Sequence, residues 1–281
     1  MERRRVGGFE VSLLGLGTSR LASMGSGRSK RDARALLDAA QDYGVNFLDT
    51  ADTYGSTAAE RWIGELTAPD PNRWVVATKT GLPTVDLPGP FRLANQPLKK
   101  VKQFRGQGFA LDAKELRRTI ERSLRRLRRE RIEVFLLHLP PQSITNDDEI
   151  GDILLDARRA GMVAEFGVSS NEVATIHAAH QAWGSVCTET QVNAHSEAGT
   201  ALGALGGLDV IANHVMVSPE GGGSPAGGQL EGGRTAHARM LRFAAAVPGV
   251  KVVLTGTSSV EHLRQNVAAF DDPVTESDLV I

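Results

Sequence analysis

The sequence predicts a single-domain α/β protein, a closed (β/α)8 barrel with a short N-terminal hairpin closing its bottom. Three observations predict it. Short apolar runs alternate with longer helix-patterned segments through most of the chain, eight such strand-like runs are present, and 281 residues with 41% hydrophobic content suffice for one sizeable core. Strict β/α alternation implies a parallel sheet, and eight units favour closure over an open sheet. No internal repeat and no linker divides the chain, so 1–281 reads as one domain.

The elements follow in order. Residues before Leu13 form the hairpin, and Leu13 to Thr18 the first barrel strand. The first helix is Ser29 to Tyr43, with Ser29 as N-cap, Asp32 three residues on, an apolar stripe of Ala33, Leu36, Leu37 and Ala40, and Gly44 just past the end. Strand Val45 to Asp49, helix Ala58 to Leu66 and strand Trp74 to Lys79 come next. A helix from Asp112, with Glu115 in a capping-box-like position, presents Leu116, Ile120, Leu124 and Leu127 to the core. It feeds strand Ile132 to His138. Then come helix Asp147 to Ala160, strand Val163 to Val168, helix Asn171 to Trp183, strand Val186 to Val192 and a short helix from Glu197 to Leu205. Strand Leu208 to Ala212, helix Thr235 to Val247, strand Val250 to Thr255 and a helix from Ser259 to Phe270 complete the barrel. Arginines between Arg117 and Arg131 fall mostly off the leucine stripe and read as a solvated helix face.

Two segments interrupt the repeat. Gly81 to Ala110 is punctuated by proline and glycine and carries Lys99, Lys100, Lys102 and Arg105; Ser218 to Gly233 is glycine-rich. Both follow barrel strands on the side where βα-loops build active sites, so each either shapes a site or is a surface loop.

Composition narrows the function classes. A net charge of −1 gives no field that favours nucleic acid or an anionic membrane. One cysteine, Cys187, rules out an intramolecular disulfide and a multi-cysteine metal site, and reads as a core thiol. The seven histidines are scattered, and His177 and His180 lack a third ligand, so no metal site is expected. Asp147 and Asp148 precede a helix, where negative charge is favourable. The stretch Val11 to Leu16 is too short and glycine-broken for a signal peptide, and no apolar run reaches the roughly 18 residues of a membrane span. A cytoplasmic enzyme of open oligomeric state is expected.

Function should show at the strand ends. Four polar residues lie there: Asp49 ending the second strand, Tyr54 in the following loop, Lys79 ending the third strand and His138 ending the fourth. Together they suit one task, giving a proton to a carbonyl oxygen while a hydride reaches its carbon. A free tyrosine titrates near pH 10; an adjacent Lys79 ammonium is expected to favour the phenolate and lower that value. Asp49 would pair with Lys79 without itself titrating, and His138 would orient the substrate oxygen.

These motifs resemble the aldo-keto reductase superfamily, and the resemblance covers nearly the whole chain. Asn46–Phe47–Leu48–Asp49–Thr50–Ala51–Asp52–Thr53–Tyr54–Gly55 resembles the signature around the family's aspartate and tyrosine, Ala77–Thr78–Lys79 its lysine motif, and Phe135–Leu136–Leu137–His138–Leu139–Pro140 its histidine motif. The resemblance implies that Asp49, Tyr54, Lys79 and His138 form the catalytic tetrad, with Tyr54 as general acid. It also implies a nicotinamide cofactor. Ser169 and Ser170 match the pair that holds the carboxamide, although Ser170 stands where the family has asparagine. Gln191 matches a second carboxamide contact, and Gly17 and Thr18 the close approach of the first strand. Gly256, Thr257, His262, Gln265 and Asn266 resemble the adenosine-phosphate segment, where backbone N–H groups at a helix start favour phosphate.

Departures from the family pattern mark the details. Ile211–Ala212–Asn213–His214 puts Asn213 where many relatives stack a tyrosine on the nicotinamide. Gly256 and His262 stand where NADPH-specific relatives place Lys and Arg, with Arg264 or a lysine of the insertion as the compensating cation. NADPH is the expected cofactor and NADH its alternative. The expected function is reduction of an aldehyde, a ketone, or a sugar-like or natural-product carbonyl. Imine reduction or cofactor-assisted isomerisation on the same scaffold, and a non-enzymatic cofactor-sensing subunit, are the other readings.

Overall fold

The computed structural model describes residues 1–22, 29–86, 109, 111–184, 187–201, 204–216 and 235–279. Two short strands, β1 (Arg3–Val6) and β2 (Phe9–Ser12), pair antiparallel, and eight more form a closed barrel. In chain order these are β3 (Leu14–Gly17), β4 (Phe47–Asp49), β5 (Val75–Thr80), β6 (Ile132–His138), β7 (Val163–Ser169), β8 (Cys187–Gln191), β9 (Asp209–Asn213) and β10 (Val250–Thr255). Each pairs parallel with its sequence neighbour, and β10 closes onto β3. The expected (β/α)8 barrel is therefore the observed one.

The helices are α1 (Lys30–Asp42), α2 (Ala58–Thr67), α3 (Ala113–Leu127), α4 (Asp148–Arg159), α5 (Val173–Trp183), the single-turn α6 (Glu197–Thr200), α7 (Ala236–Ala246) and α8 (Val260–Ala268). Their starts follow local chemistry. Ser29 and Asp32 cap α1 reciprocally, Asp112 accepts from the Glu115 N–H on α3, and Asp147 accepts from the Ile150 N–H on α4. The helix expected over Glu197 to Leu205 stops at Thr200.

Strand pleating divides the core in two. Residues facing outward, such as Leu48, Val76, Phe135, Leu137 and Val168, pack under the helices. Residues facing inward, Phe47, Val75, Ala77, Val134, Leu136, Cys187, Ile211, Val252 and Leu254, fill the barrel, and Val6 and Val11 of the hairpin cover them from below. Cys187 is a buried free thiol in this inner cluster, and burial pushes its titration up, as expected of a core thiol. Gly167 makes the close approach of β7 to β8 possible, since a Cβ there would overlap the Cys187 carbonyl oxygen.

The arginine-rich α3 corrects the sequence reading. Arg117, Arg118, Arg125 and Arg128 are exposed as expected, but Arg126 is buried against Glu60, with Nε 2.5 Å from Oε2, and Arg129 pairs with Glu133 at 3.0 Å. Arg126 lies beside Leu127 on the face that meets α2, where Glu60 needs a buried partner.

Candidate active site

The two-residue period that fills the barrel also builds the site. Continuing each inward series toward the carboxyl end leads from Phe47 to Asp49, from Ala77 to Lys79, from Leu136 to His138, from Gly167 to Ser169, from Cys187 through Glu189 to Gln191, and from Ile211 to Asn213. Register levels these residues: His138 pairs with Ser169, Ser169 with Glu189, and Gln191 with Asn213. The sequence-predicted tetrad is thereby brought to one end of the barrel.

The loop after β4 holds Tyr54 over Lys79. Thr50 N–H donates to the Ala77 carbonyl at 2.9 Å and Asp52 N–H to the Lys79 carbonyl at 3.0 Å, so the loop keeps tracking β5. Asp52 Oδ2 also accepts from Thr80 Oγ1 at 2.6 Å. The chain then turns through three successive positive-φ residues, Gly55, Ser56 and Thr57, with φ of 58, 52 and 70°. For Ser56 and Thr57 this conformation is costly, and it persists because packing fixes the turn against Ala22, whose carbonyl lies where a Gly55 side chain would be. Thr57 Oγ1 and Arg61 reach Asp86 at 3.1 and 2.9 Å, tying the turn to the segment after β5.

Lys79 is fully buried, and its ammonium lies 5.4 Å from the Tyr54 ring centroid. The Tyr54 and His138 rings meet edge to face with centroids 6.3 Å apart. Lys79 Nζ bonds Asp49 Oδ1, as expected. It also lies 2.8 Å from Oε2 of Glu189, a residue the sequence reading did not single out. Oε1 of Glu189 accepts from Asn213 Nδ2 at 2.7 Å. The signal for Glu189 was a lone charge in an otherwise uncharged strand, on the same face as Gln191.

Electrostatics corrects two expectations. The Lys79 charge does pull Tyr54 toward the phenolate, but burial outweighs it and Asp49 and Glu189 add to burial, so the phenol is held above its ordinary range. Asp49 is also displaced upward, by burial first and by Glu189 second, against the pull of Lys79. Burial opposes the Glu189 charge, but Lys79 and the bonds from Lys79 and Asn213 outweigh it and hold this carboxylate below the usual range. Burial likewise opposes the Lys79 ammonium, and the two carboxylates outweigh it.

The residues matched to the nicotinamide end lie around this cluster. Gly17 closes β3, and Thr18 N–H donates to the Asp49 carbonyl at 2.9 Å. Thr18 Oγ1 is buried with no hydrogen-bond partner among the described residues, a group that a polar ligand at this end could satisfy. Ser169 ends β7; Ser170 N–H donates to the Glu189 carbonyl at 3.0 Å, and its Oγ accepts from the Glu172 N–H at 3.2 Å. Gln191 ends β8 beside Asn213.

The second group lies at the end of β10 and on α8. Gly256 has open space where a Cβ would stand, as a close ligand approach requires, and Thr257 Oγ1 accepts from the Ser259 N–H at 3.1 Å. His262 and Gln265 are exposed, Gln265 donating to Glu261 at 3.0 Å. Asn266 is buried and meets His237 Nε2 at 2.5 Å. Arg264 pairs with Glu261 at 2.6 Å, so its charge is already countered. The Thr18 hydroxyl, unpartnered among the described residues, at one end and the open space at Gly256 before α8 at the other are the features here that fit a bound ligand.

Leu139, directly after His138, has φ of 50° and is 46% exposed, an apolar side chain in a costly conformation on the rim. Of the insertion, Gly81–Leu82–Pro83–Thr84 and Asp86 line a polar cavity of about 310 Å³ with Asp52, Thr80 and Arg126. Its four cations Lys99, Lys100, Lys102 and Arg105, and the glycine-rich segment Ser218 to Gly233, lie outside the described residues.

A family model described as Aldo/keto reductase family matches residues 13–200, about two-thirds of the chain. The chain belongs to the aldo/keto reductase family. Its similarity to 6-dehydroglucose reductase of Novosphingobium aromaticivorans is 35% identity over 172 residues, covering 58% of this chain and 49% of that protein. Similarity to norsolorinic acid reductase stcV of Emericella nidulans is 34% over 169 residues, covering 58% of this chain and 40% of that protein. The chain thus spans about half or less of the length of these curated relatives. In structure, aldo-keto reductase AKR11C1 from Bacillus halodurans (holo form) superposes with a TM-score of 0.77 at 22% identity, covering 99% of this chain and 95% of that one. The family to which this chain belongs is one of oxidoreductases that generally use NAD(P)H. Among the described residues no helix is long and apolar enough to cross a membrane.

Proposed function

We propose that the protein reduces an aldehyde or ketone to an alcohol with NADPH, or with NADH as the alternative donor, and that Tyr54 is the general acid. The observation that carries this reading is the placing of the Tyr54 ring 5.4 Å from the buried Lys79 ammonium and edge to face with His138, with burial displacing the phenol's titration upward. A bound reduced nicotinamide would supply the hydride. The chain's own part is to seat that group, with Thr18, Ser169, Ser170, Gln191 and Asn213 around the nicotinamide end and Gly256, Thr257, His262, Gln265 and Asn266 toward the phosphates. His138 orients the substrate oxygen toward the Tyr54 hydroxyl, which gives up its proton as negative charge develops on that oxygen. Lys79 stabilises the phenolate left behind.

The names of the relatives support a sugar-like or natural-product carbonyl as substrate class. Leu139 on the rim would meet the apolar part of such a substrate, and the segment after β5 would shape the remaining wall. The test is oxidation of NADPH and NADH against a panel of aldehydes, ketones and imines, run beside Tyr54→Phe. Carbonyl turnover is expected to fall on the order of 10²–10⁴-fold in the variant, with cofactor affinity retained. Turnover of imines alone would replace the substrate class, and cofactor binding without turnover on any panel member would support a sensing subunit instead.

A further inference from the structure

Lys79 has more counter-charge than a catalytic lysine beside one aspartate requires. Asp49 reaches it from β4, and Glu189 from β8, on the opposite side of the barrel wall. The Glu189 side chain is 3% exposed, its Oε2 faces Lys79 at 2.8 Å, and its Oε1 is bonded by Asn213 from β9 at 2.7 Å. Asn213 in turn meets His214 Nδ1 through its amide oxygen at 3.0 Å. The charged and titratable groups facing this cluster are therefore Asp49, Tyr54, Lys79, His138 and Glu189, contributed by four strands and one loop.

We propose that Glu189 is a positioning residue of the active site: it is the second counter-ion of Lys79, and it ties the cofactor-facing Asn213 to that ammonium. This deepens the reading of Tyr54 as proton donor and rests on it. The physical consequence is a matter of charge count. One ammonium already faces two carboxyl groups in a dry site, so a phenolate would have to share Lys79 with both of them and would add a further negative charge beside them. Glu189 thereby keeps Tyr54 as a phenol, charged with the proton that reduction consumes, and raises the pH at which that proton is lost. The fixed bond to Asn213 gives β9 a rigid polar contact where an aromatic side chain would otherwise stand.

The decisive variant is Glu189→Gln, which removes the charge while its amide oxygen can still accept from Asn213. The chain contains two tyrosines, Tyr43 and Tyr54, so subtracting the tyrosinate absorbance of Tyr54→Phe isolates Tyr54 without any need for turnover. In the parent protein Tyr54 is expected to stay protonated up to alkaline unfolding. In Glu189→Gln it is expected to ionise about 1–3 pH units lower, within the folded range. The alkaline limb of kcat for carbonyl reduction should move down in parallel. Glu189→Asp, which keeps the charge, should titrate closer to the parent. A Tyr54 in Glu189→Gln that fails to ionise before unfolding would overturn the proposal. Should Glu189→Gln not fold, carboxyl-carbon NMR of the parent protein decides: a Glu189 ionised at neutral pH supports the assignment and a protonated one defeats it. A parent protein without turnover would count against the reductase reading alone, since both spectroscopic results stand without it.

Discussion

Leu139 joins backbone conformation to function at a single position. A branched residue at positive φ costs about 1–2 kcal/mol, and here the cost secures a rim side chain beside His138, with its N–H held by the Ser169 carbonyl at 2.8 Å. Leu139→Gly removes that strain but returns about 0.5–1 kcal/mol to the unfolded chain through glycine's greater freedom. Thermal unfolding should therefore change little, within about 1 kcal/mol, while KM for apolar carbonyl substrates rises and kcat holds. A stability loss of several kcal/mol would show instead that Leu139 packs as a structural residue. At this scale the tetrad was legible in the sequence because each member closes a strand within a recognisable motif. Glu189 was not, because threonines flank it and its role exists only once β8 stands beside β7 and across from β5. Even for the legible residues, charge state was out of reach: the sign of the shift at Tyr54 is set by burial, with Asp49 and Glu189 adding to it.

The elements were legible to within a residue or two at most ends, since capping side chains and strand pleating are local properties. What the pattern could not give was the contact between elements. The arginines of α3 are spaced like a solvated face, yet Arg126 lies under α2, where it meets Glu60, Asp86 and Ser123, while Glu60 accepts from Thr78 Oγ1 of β5 at 2.8 Å. This interface supports the strand that carries Lys79. Arg126→Met would strand the buried Glu60 charge and is expected to cost about 3–5 kcal/mol. Arg125→Met, one residue away and exposed, should stay within about 0.5 kcal/mol. Denaturant unfolding of the two variants side by side makes the comparison, and equal effects would refute the buried role.

For the molecule as a whole, Asp86 supplies a pH dependence that can be signed. Burial opposes its charge, but the bond from Arg61 and the charges of Arg61 and Arg126 outweigh burial and hold its titration below the ordinary carboxylate range. A carboxyl group whose folded value lies below its unfolded one contributes stability that is fully present above about pH 4 and is lost as pH falls through the folded value. Asp86→Asn should therefore flatten the acid side of the Tm profile below about pH 4 and leave the slope near neutrality alone. An unchanged acid slope would mean that other carboxylates dominate acid unfolding.

The placement of Lys79, Asp49 and Glu189 also bears on the order in which the barrel assembles. The three come from β5, β4 and β8, and Glu189 is separated from the others by more than a hundred residues of chain. Until β8 docks, Lys79 and Asp49 have only each other and solvent. The cluster can become dry only when the wall closes, and contacts between distant segments are the slow part of folding. Interactions absent from the transition state govern how fast a protein comes apart rather than how fast it forms. The charged centre of the proposed active site is, on this account, also a contact that forms late and that bears on how long the closed barrel lasts.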